Sequence, residues 1–150
     1  MKLTLLLTLI GSNLVAANFA PKANFAPKAN FDDFARALAR VESSNNPRAF
    51  NSKENAIGIY QVRPAYFRDA AQFDRELAKY SHRDCYNPQV AKRVIWAYFM
   101  RYEPEAMRKG DWQALAKAHN GGCGWRSKSG KVKNNLDIYW NKVNMVLTKS

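Results

Sequence analysis

The sequence predicts a mostly α, single-domain protein with little or no β structure. Three observations carry that expectation. Apolar residues recur at helical spacing through successive segments between Phe31 and Leu147. Capping residues and prolines stand where those segments should begin, as at Asn30 and at Asn87-Pro88. Only the run Ile57–Val62 reads as a strand. The 150 residues are enough for one domain with a real core, and 47% hydrophobic with 13% aromatic residues is too apolar for a disordered chain. The same figures exclude a collagen-like fibre, a multidomain enzyme and a membrane bundle.

Each element can be justified in turn. Met1-Lys2, the apolar run Leu3–Ile10 and the small residues Val15-Ala16-Ala17 predict a secretory signal peptide over residues 1–17. The run is shorter than the roughly 20 residues a membrane-spanning helix needs, so no transmembrane span is expected. Residues 18–29 hold Asn-Phe-Ala-Pro-Lys-Ala twice, which reads as an extended basic leader because each unit carries a proline. The folded domain is expected over residues 30–150. Asn30 caps its first helix, Asp32 and Asp33 suit the first turn, and Phe31, Phe34, Leu38 and Val41 share a face; the helix should end near Ser43–Pro47. A polar loop from Asn45 to Asn55 leads to the candidate strand. Pro64 opens a helix expected to reach Tyr80. Asn87-Pro88 starts the most regular helix, with Val90, Val94, Ile95, Tyr98, Phe99 and Tyr102 inward. Gly110-Asp111 ends it and caps the next, which carries Trp112 and Leu115. Asn120–Gly124 is a glycine-rich loop, and the last helix begins at about Asn135 with Leu136, Tyr139, Trp140, Val143 and Leu147 inward.

The formal charge is +12, from 24 Lys+Arg against 12 Asp+Glu, and loss of Lys2 with the signal peptide leaves 23 − 12 = +11. Such a balance points to anionic partners: nucleic acid, an acidic lipid face or an acidic wall polymer. No interleaved aromatic and basic motif marks specific nucleic-acid binding. In an exported chain the even pair Cys85 and Cys123 predicts a disulfide closing a loop of about 40 residues, worth about 3–4 kcal/mol; two unrelated buried thiols are the alternative. No metal site is expected, because His82 and His119 lack ligand spacing.

Triad and phosphate-loop signatures are absent, which leaves the carboxylates. Glu42 falls in the last turn of the first helix, at the negative end of its dipole, beside Val41 and ahead of Ser43 and Ser44. That position near aromatic surface predicts a raised pKa, as a general acid needs, against the alternative of a solvated helix-end glutamate. Glu54 is a candidate second carboxylate in the loop before Gly58. Glu103, Glu105, Asp69, Asp74 and Asp84 read as solvated charges. Trp96, Tyr98, Phe99, Trp112 and Trp140 read as core, whereas Trp125 in the glycine-rich loop is a candidate for stacking on a sugar. Arg126–Lys133 reads as a flexible basic segment.

Four motifs then come in order: Glu42-Ser43-x-x-Asn46-Pro47-x-Ala49, Gly58-Ile59-Tyr60-Gln61-Val62, Ala118-His119-Asn120-Gly121-Gly122 and Tyr139-Trp140-x-Lys142-Val143. Together they make the chain resemble, over residues 31–147, the soluble-type lytic transglycosylase domain related to goose-type lysozyme. The resemblance implies a lysozyme-like α fold with a cleft for peptidoglycan glycan strands, working as a monomer without a cofactor. It matches Glu42 to the catalytic acid, which protonates the glycosidic oxygen and then takes the proton of the muramyl C6 hydroxyl as a 1,6-anhydro ring closes. Ser43, Tyr60, Gln61, His119, Asn120 and Tyr139 match positions that line the cleft or hold the acid, with Tyr60 where the family often has Met and His119 where Tyr is frequent. If Glu54 faces the cleft, hydrolysis becomes open as well; if it faces solvent, anhydro formation is favoured. Two other classes compete, a non-catalytic glycan-binding module of the same fold and a protein acting only through its charge. The intact Glu42, Gln61 and Asn120 favour the enzyme.

Overall fold

A computed structural model describes residues 29–149; the expected signal peptide and all but the last residue of the repeat leader lie outside the described residues. Helix α1 spans Phe31–Ser43. Asn30 Oδ1 accepts the Asp33 N–H at 3.0 Å while Asp33 Oδ2 accepts the Asn30 N–H at 3.1 Å, a reciprocal capping box. Ser44, at φ 54°, ends the helix: its N–H donates to the Arg40 carbonyl at 3.1 Å, and the Asn45 N–H donates to the Ala39 carbonyl at 3.1 Å.

The expected strand Ile57–Val62 is instead a tight turn. Strand β1 (Phe50–Asn51) pairs antiparallel with β2 (Ala56–Ile57), Phe50 opposite Ile57 and Asn51 opposite Ala56. The chain then folds back at once: Ile57 and Val62 exchange N–H···O bonds of 3.1 and 2.9 Å around Gly58–Gln61. Gly58 makes the turn possible. Its φ is +75°, and a Cβ there would sit 2.1 Å from the Cys85 carbonyl oxygen.

Helix α2 spans Pro64–Phe73, shorter than the sequence suggested. Asp74 breaks it, accepting the Glu76 N–H at 3.1 Å to cap a short 3₁₀ turn over Arg75–Lys79 and pairing through both oxygens with Arg93 at 2.6 and 3.0 Å. A second 3₁₀ turn, His82–Tyr86, leads into α3 (Pro88–Tyr102), capped by Asn87. There follow α4 (Pro104–Lys109), α5 (Trp112–Gly121) and α6 (Gly130–Leu147), the last starting earlier than expected. The basic segment Arg126–Lys133 is thus largely a 3₁₀ turn and the first turn of α6, not a flexible loop.

Helix α6 packs across α1 and α5, and α2 lies on α3. Phe34, Leu38, Leu77, Val94, Ile95, Phe99, Leu115 and Val143 are fully buried between them. Trp112 stacks on Phe34 with centroids 5.1 Å apart, as a core residue should; Trp96, expected in the core, is 39% exposed on the outer face of α3. No helix among the described residues is long and apolar enough to cross a membrane.

Three further expectations are corrected. Cys85 and Cys123 are free thiols, not a disulfide. Cys85 is sealed in the core beneath the Gly58 turn, where burial pushes its thiol up to about 12, whereas Cys123 is exposed after α5, beside Tyr98. Glu103, expected to be solvated, is only 4% exposed: it accepts the Trp125 indole N–H at 2.8 Å and pairs with Arg126. The Arg126 guanidinium lies 4.4 Å from the Trp125 ring centroid, so Trp125 ties its loop to the start of α4 and does not stand out as a sugar platform.

Candidate active site

The end of α1, the Gly58–Gln61 turn and the end of α5 converge on one cavity. It measures about 230 Å³ and is lined by Glu42, Asn51, Glu54, Gln61, Arg63, Tyr66, His119 and Asn120. Four residues picked out from sequence therefore meet there in Glu42, Gln61, His119 and Asn120, and Glu54 joins them from the loop.

Glu42 is the most constrained member. Its side chain is 16% exposed, and Oε1 accepts the Tyr139 hydroxyl at 2.5 Å across 97 residues of chain. The same oxygen lies 3.5 Å from His119 Nε2. Burial drives the Tyr139 phenol far above its ordinary value, and the Glu42 charge adds to this, so the phenol keeps its proton and serves as a donor. Tyr139 comes from the inward face of α6, which explains how a residue so far along the chain reaches α1.

The expected upward shift of Glu42 is not found. Burial does push its carboxyl up more than any other single influence. The hydrogen bond and charge of His119, the Tyr139 hydroxyl and the Arg63 guanidinium together outweigh it, and they hold the carboxyl below its ordinary value. The helix end and the apolar neighbours are visible along the chain, whereas the donors arrive from α5, α6 and the residue before α2.

His119 is buried, at 4% exposure. Its Nε2 lies 3.1 Å from the Tyr60 carbonyl, which can only accept, so that nitrogen carries hydrogen; Nδ1 meets the Tyr66 hydroxyl at 3.2 Å. The ring is a strut from α5 to both the turn and α2. Tyr60 and Ser43, matched to substrate contacts, do not line the cavity. The Tyr60 ring is buried in the core, and the Ser43 hydroxyl donates to the Ile59 carbonyl at 2.9 Å, fastening α1 to the turn. Gln61 holds a positive φ of 50°, and its Nε2 donates to the Gly58 carbonyl at 3.0 Å, leaving its side-chain oxygen for the cavity.

Arg63 was missed. Its Nη2 donates to the carbonyls of His119 at 3.1 Å and Asn120 at 3.3 Å, at the negative end of α5. One signal pointed to it: Arg63 is two residues beyond Gln61, immediately before the helix-opening Pro64, so extended backbone would bring both side chains to one side. Among the described residues no group of three or more His, Cys, Asp or Glu is placed to hold a metal ion.

The cavity thus offers one carboxyl held by donors, a second carboxylate in its lining, and amide and guanidinium groups around them. That set can donate and withdraw a proton beside a bound, hydroxyl-rich ligand. Comparison with curated proteins and with solved structures finds no match. The family model described as the Transglycosylase SLT domain does match, over residues 24–141. With most of its length covered, and with the mostly α fold this family requires, the chain belongs to the transglycosylase SLT domain family.

Proposed function

We propose that this protein is an exported enzyme that cleaves the β-1,4 bond between N-acetylmuramic acid and N-acetylglucosamine in peptidoglycan, with Glu42 as its single acid and base. The observation that carries the reading is the Glu42 carboxyl, walled into the cavity and clamped by Tyr139. Protonated Glu42 gives its proton to the glycosidic oxygen as the C1–O bond breaks, while the 2-acetamido oxygen of the muramyl unit bonds to C1. Glu42, now ionised and stabilised by the Tyr139 hydroxyl, His119 and Arg63, takes the C6 hydroxyl proton. The C6 oxygen then displaces the acetamido oxygen at C1, and a 1,6-anhydro end leaves without consuming water. Gln61 and Asn120 offer amide groups to the acetamido and hydroxyl groups of the strand.

The sign of the Glu42 shift bears on this cycle. A carboxyl held low is ready for the second step, and the first step needs the protonated form. Cleavage from the free enzyme should therefore be fastest on the acidic side of neutrality and should decline as pH rises. A clearing assay on purified cell walls tests the assignment. Glu42→Gln, which keeps the shape and removes the proton carrier, should lose about 10²–10⁴-fold in rate. Equal clearing by both proteins would remove the enzyme reading.

A second reading has one observation behind it. Glu54 lines the same cavity as Glu42, so a water held between the two carboxylates would give hydrolysis and reducing ends. Under this reading Glu54→Gln abolishes the water-containing products; under the first it leaves the product pattern unchanged.

A further inference from the structure

Another cavity, of about 80 Å³, is walled mainly by cations. Lys117, Arg126, Lys128 and Lys133 line it with Trp125 and Leu136, and no acidic side chain does. Gly121 lets the Trp125 loop close against the end of α5, since a Cβ there would lie 2.9 Å from Leu136 Cδ2 and 3.1 Å from Trp125 Cβ. Lys117 is only 9% exposed, with its ammonium 5.7 Å from the Trp125 ring centroid, and the Arg126 guanidinium meets the same ring.

The acids nearby are already engaged. Asp137 pairs with Lys117 at 2.6 Å, and Glu103 pairs with Arg126. Lys128 and Lys133 are exposed and form no ion pair among the described residues. Gathering so many like charges around one small hollow costs Coulomb energy, which an anion seated among them offsets. A carboxylate offers two oxygens in one plane. A phosphate offers oxygens in several directions, and so meets a guanidinium and ammonium groups arriving from α5, from the 3₁₀ turn at Trp125 and from α6. The hollow has room for one such group.

The geometry points to a phosphate subsite for a polyol-phosphate polymer of the cell wall, with one phosphate seated among Lys117, Arg126, Lys128 and Lys133. The choice of a wall polymer rests on the peptidoglycan reading above and adds to it a means of staying on the wall. The formal charge of +12 favours a long polyanion over a small one. Helix α5 carries Lys117 at this cavity and His119 and Asn120 at the Glu42 cavity, within one helical turn, so a polymer held here keeps the cleft beside its substrate.

Binding of a glycerol-phosphate oligomer to the full chain tests the proposal, with polyglutamate of equal charge as the comparison. Lys128→Gln with Lys133→Gln removes the two unpaired cations of the cavity and leaves the Glu103 and Asp137 pairs in place. Lys131→Gln with Lys149→Gln removes the same charge from exposed lysines outside it. The first double variant should bind the oligomer about tenfold more weakly, and the second should stay within about twofold of the wild type. Both should cleave phosphate-free glycan at the wild-type rate. Equal weakening in the two variants, equally tight binding of polyglutamate, or slower cleavage of phosphate-free glycan by the first variant alone would overturn the proposal. Tighter binding of single-stranded DNA or of phosphatidylglycerol vesicles at equal phosphate would overturn it too, as would inorganic phosphate binding as tightly as the oligomer. Failure of the wild type to cleave any glycan would instead overturn the enzyme reading, and the contrast between the two variants on the oligomer would still support the site.

Discussion

The Tyr139 hydroxyl on Glu42 is one of the contacts that hold this carboxyl low, beside those of His119 and Arg63. A donor to a carboxylate favours the ionised form, so removing it must let the carboxyl rise. Tyr139→Phe is therefore predicted to shift the falling limb of the kcat/KM–pH profile to higher pH, with His119 and Arg63 still facing Glu42 and cleavage still measurable; an unchanged or lowered limb contradicts the assignment. Glu42, Gln61 and Asn120 were legible because each sits in a short motif whose neighbours fix it to a helix end or a tight turn. The environment of Glu42 was not. Its donors come from α5 and α6, and no spacing along the chain reports a contact across 97 residues. Ser43 and Tyr60 belong to the same motifs but lie off the cavity lining, one bonding the turn and the other packed in the core.

Among the elements, the Gly58 turn is the piece on which the cavity depends. It sets Gln61 at the cavity, turns the Tyr60 carbonyl toward His119 and passes against the Cys85 carbonyl. A methyl group at position 58 has no room there. Gly58→Ala is predicted to lower unfolding stability by about 3 kcal/mol in a denaturant titration, from positive-φ strain and the displaced segment together. A loss below the error of the titration would contradict that packing. Three helix starts were readable, since Asn30, Asn87 and Asp111 all cap as their residue types dictate, whereas α6 begins at Gly130 and not near Asn135. Two breaks were not. Asp74 ends α2 because Arg93 of α3 and the following 3₁₀ turn hold its carboxylate, a tertiary cause. The break between α3 and α4 did carry a local mark: Glu103 precedes Pro104, which disfavours helical backbone, and burial against Trp125 and Arg126 completes it.

At the scale of the whole molecule, composition gave the class and could not give the pairing. The fold came from periodicity, but the expected disulfide came from compartment and parity alone, and packing separates the two thiols. A thiol-reactive probe is predicted to label Cys123 in the folded protein and to label Cys85 only once the chain is unfolded without reductant; no reactive thiol in the unfolded chain would contradict the free pair. The charge of +12 suits an acidic wall, and rising salt should slow wall binding more than cleavage of short, uncharged glycan. All of this serves one claim, that a lone buried carboxyl both gives and takes the proton while water stays out of the reaction. The mass of the glycan fragments released from purified peptidoglycan tests it most directly. Ends lighter by one water than reducing ends, formed by the wild type and lost in Glu42→Gln, are the predicted result. Reducing ends alone, or anhydro ends that survive the substitution, would contradict it.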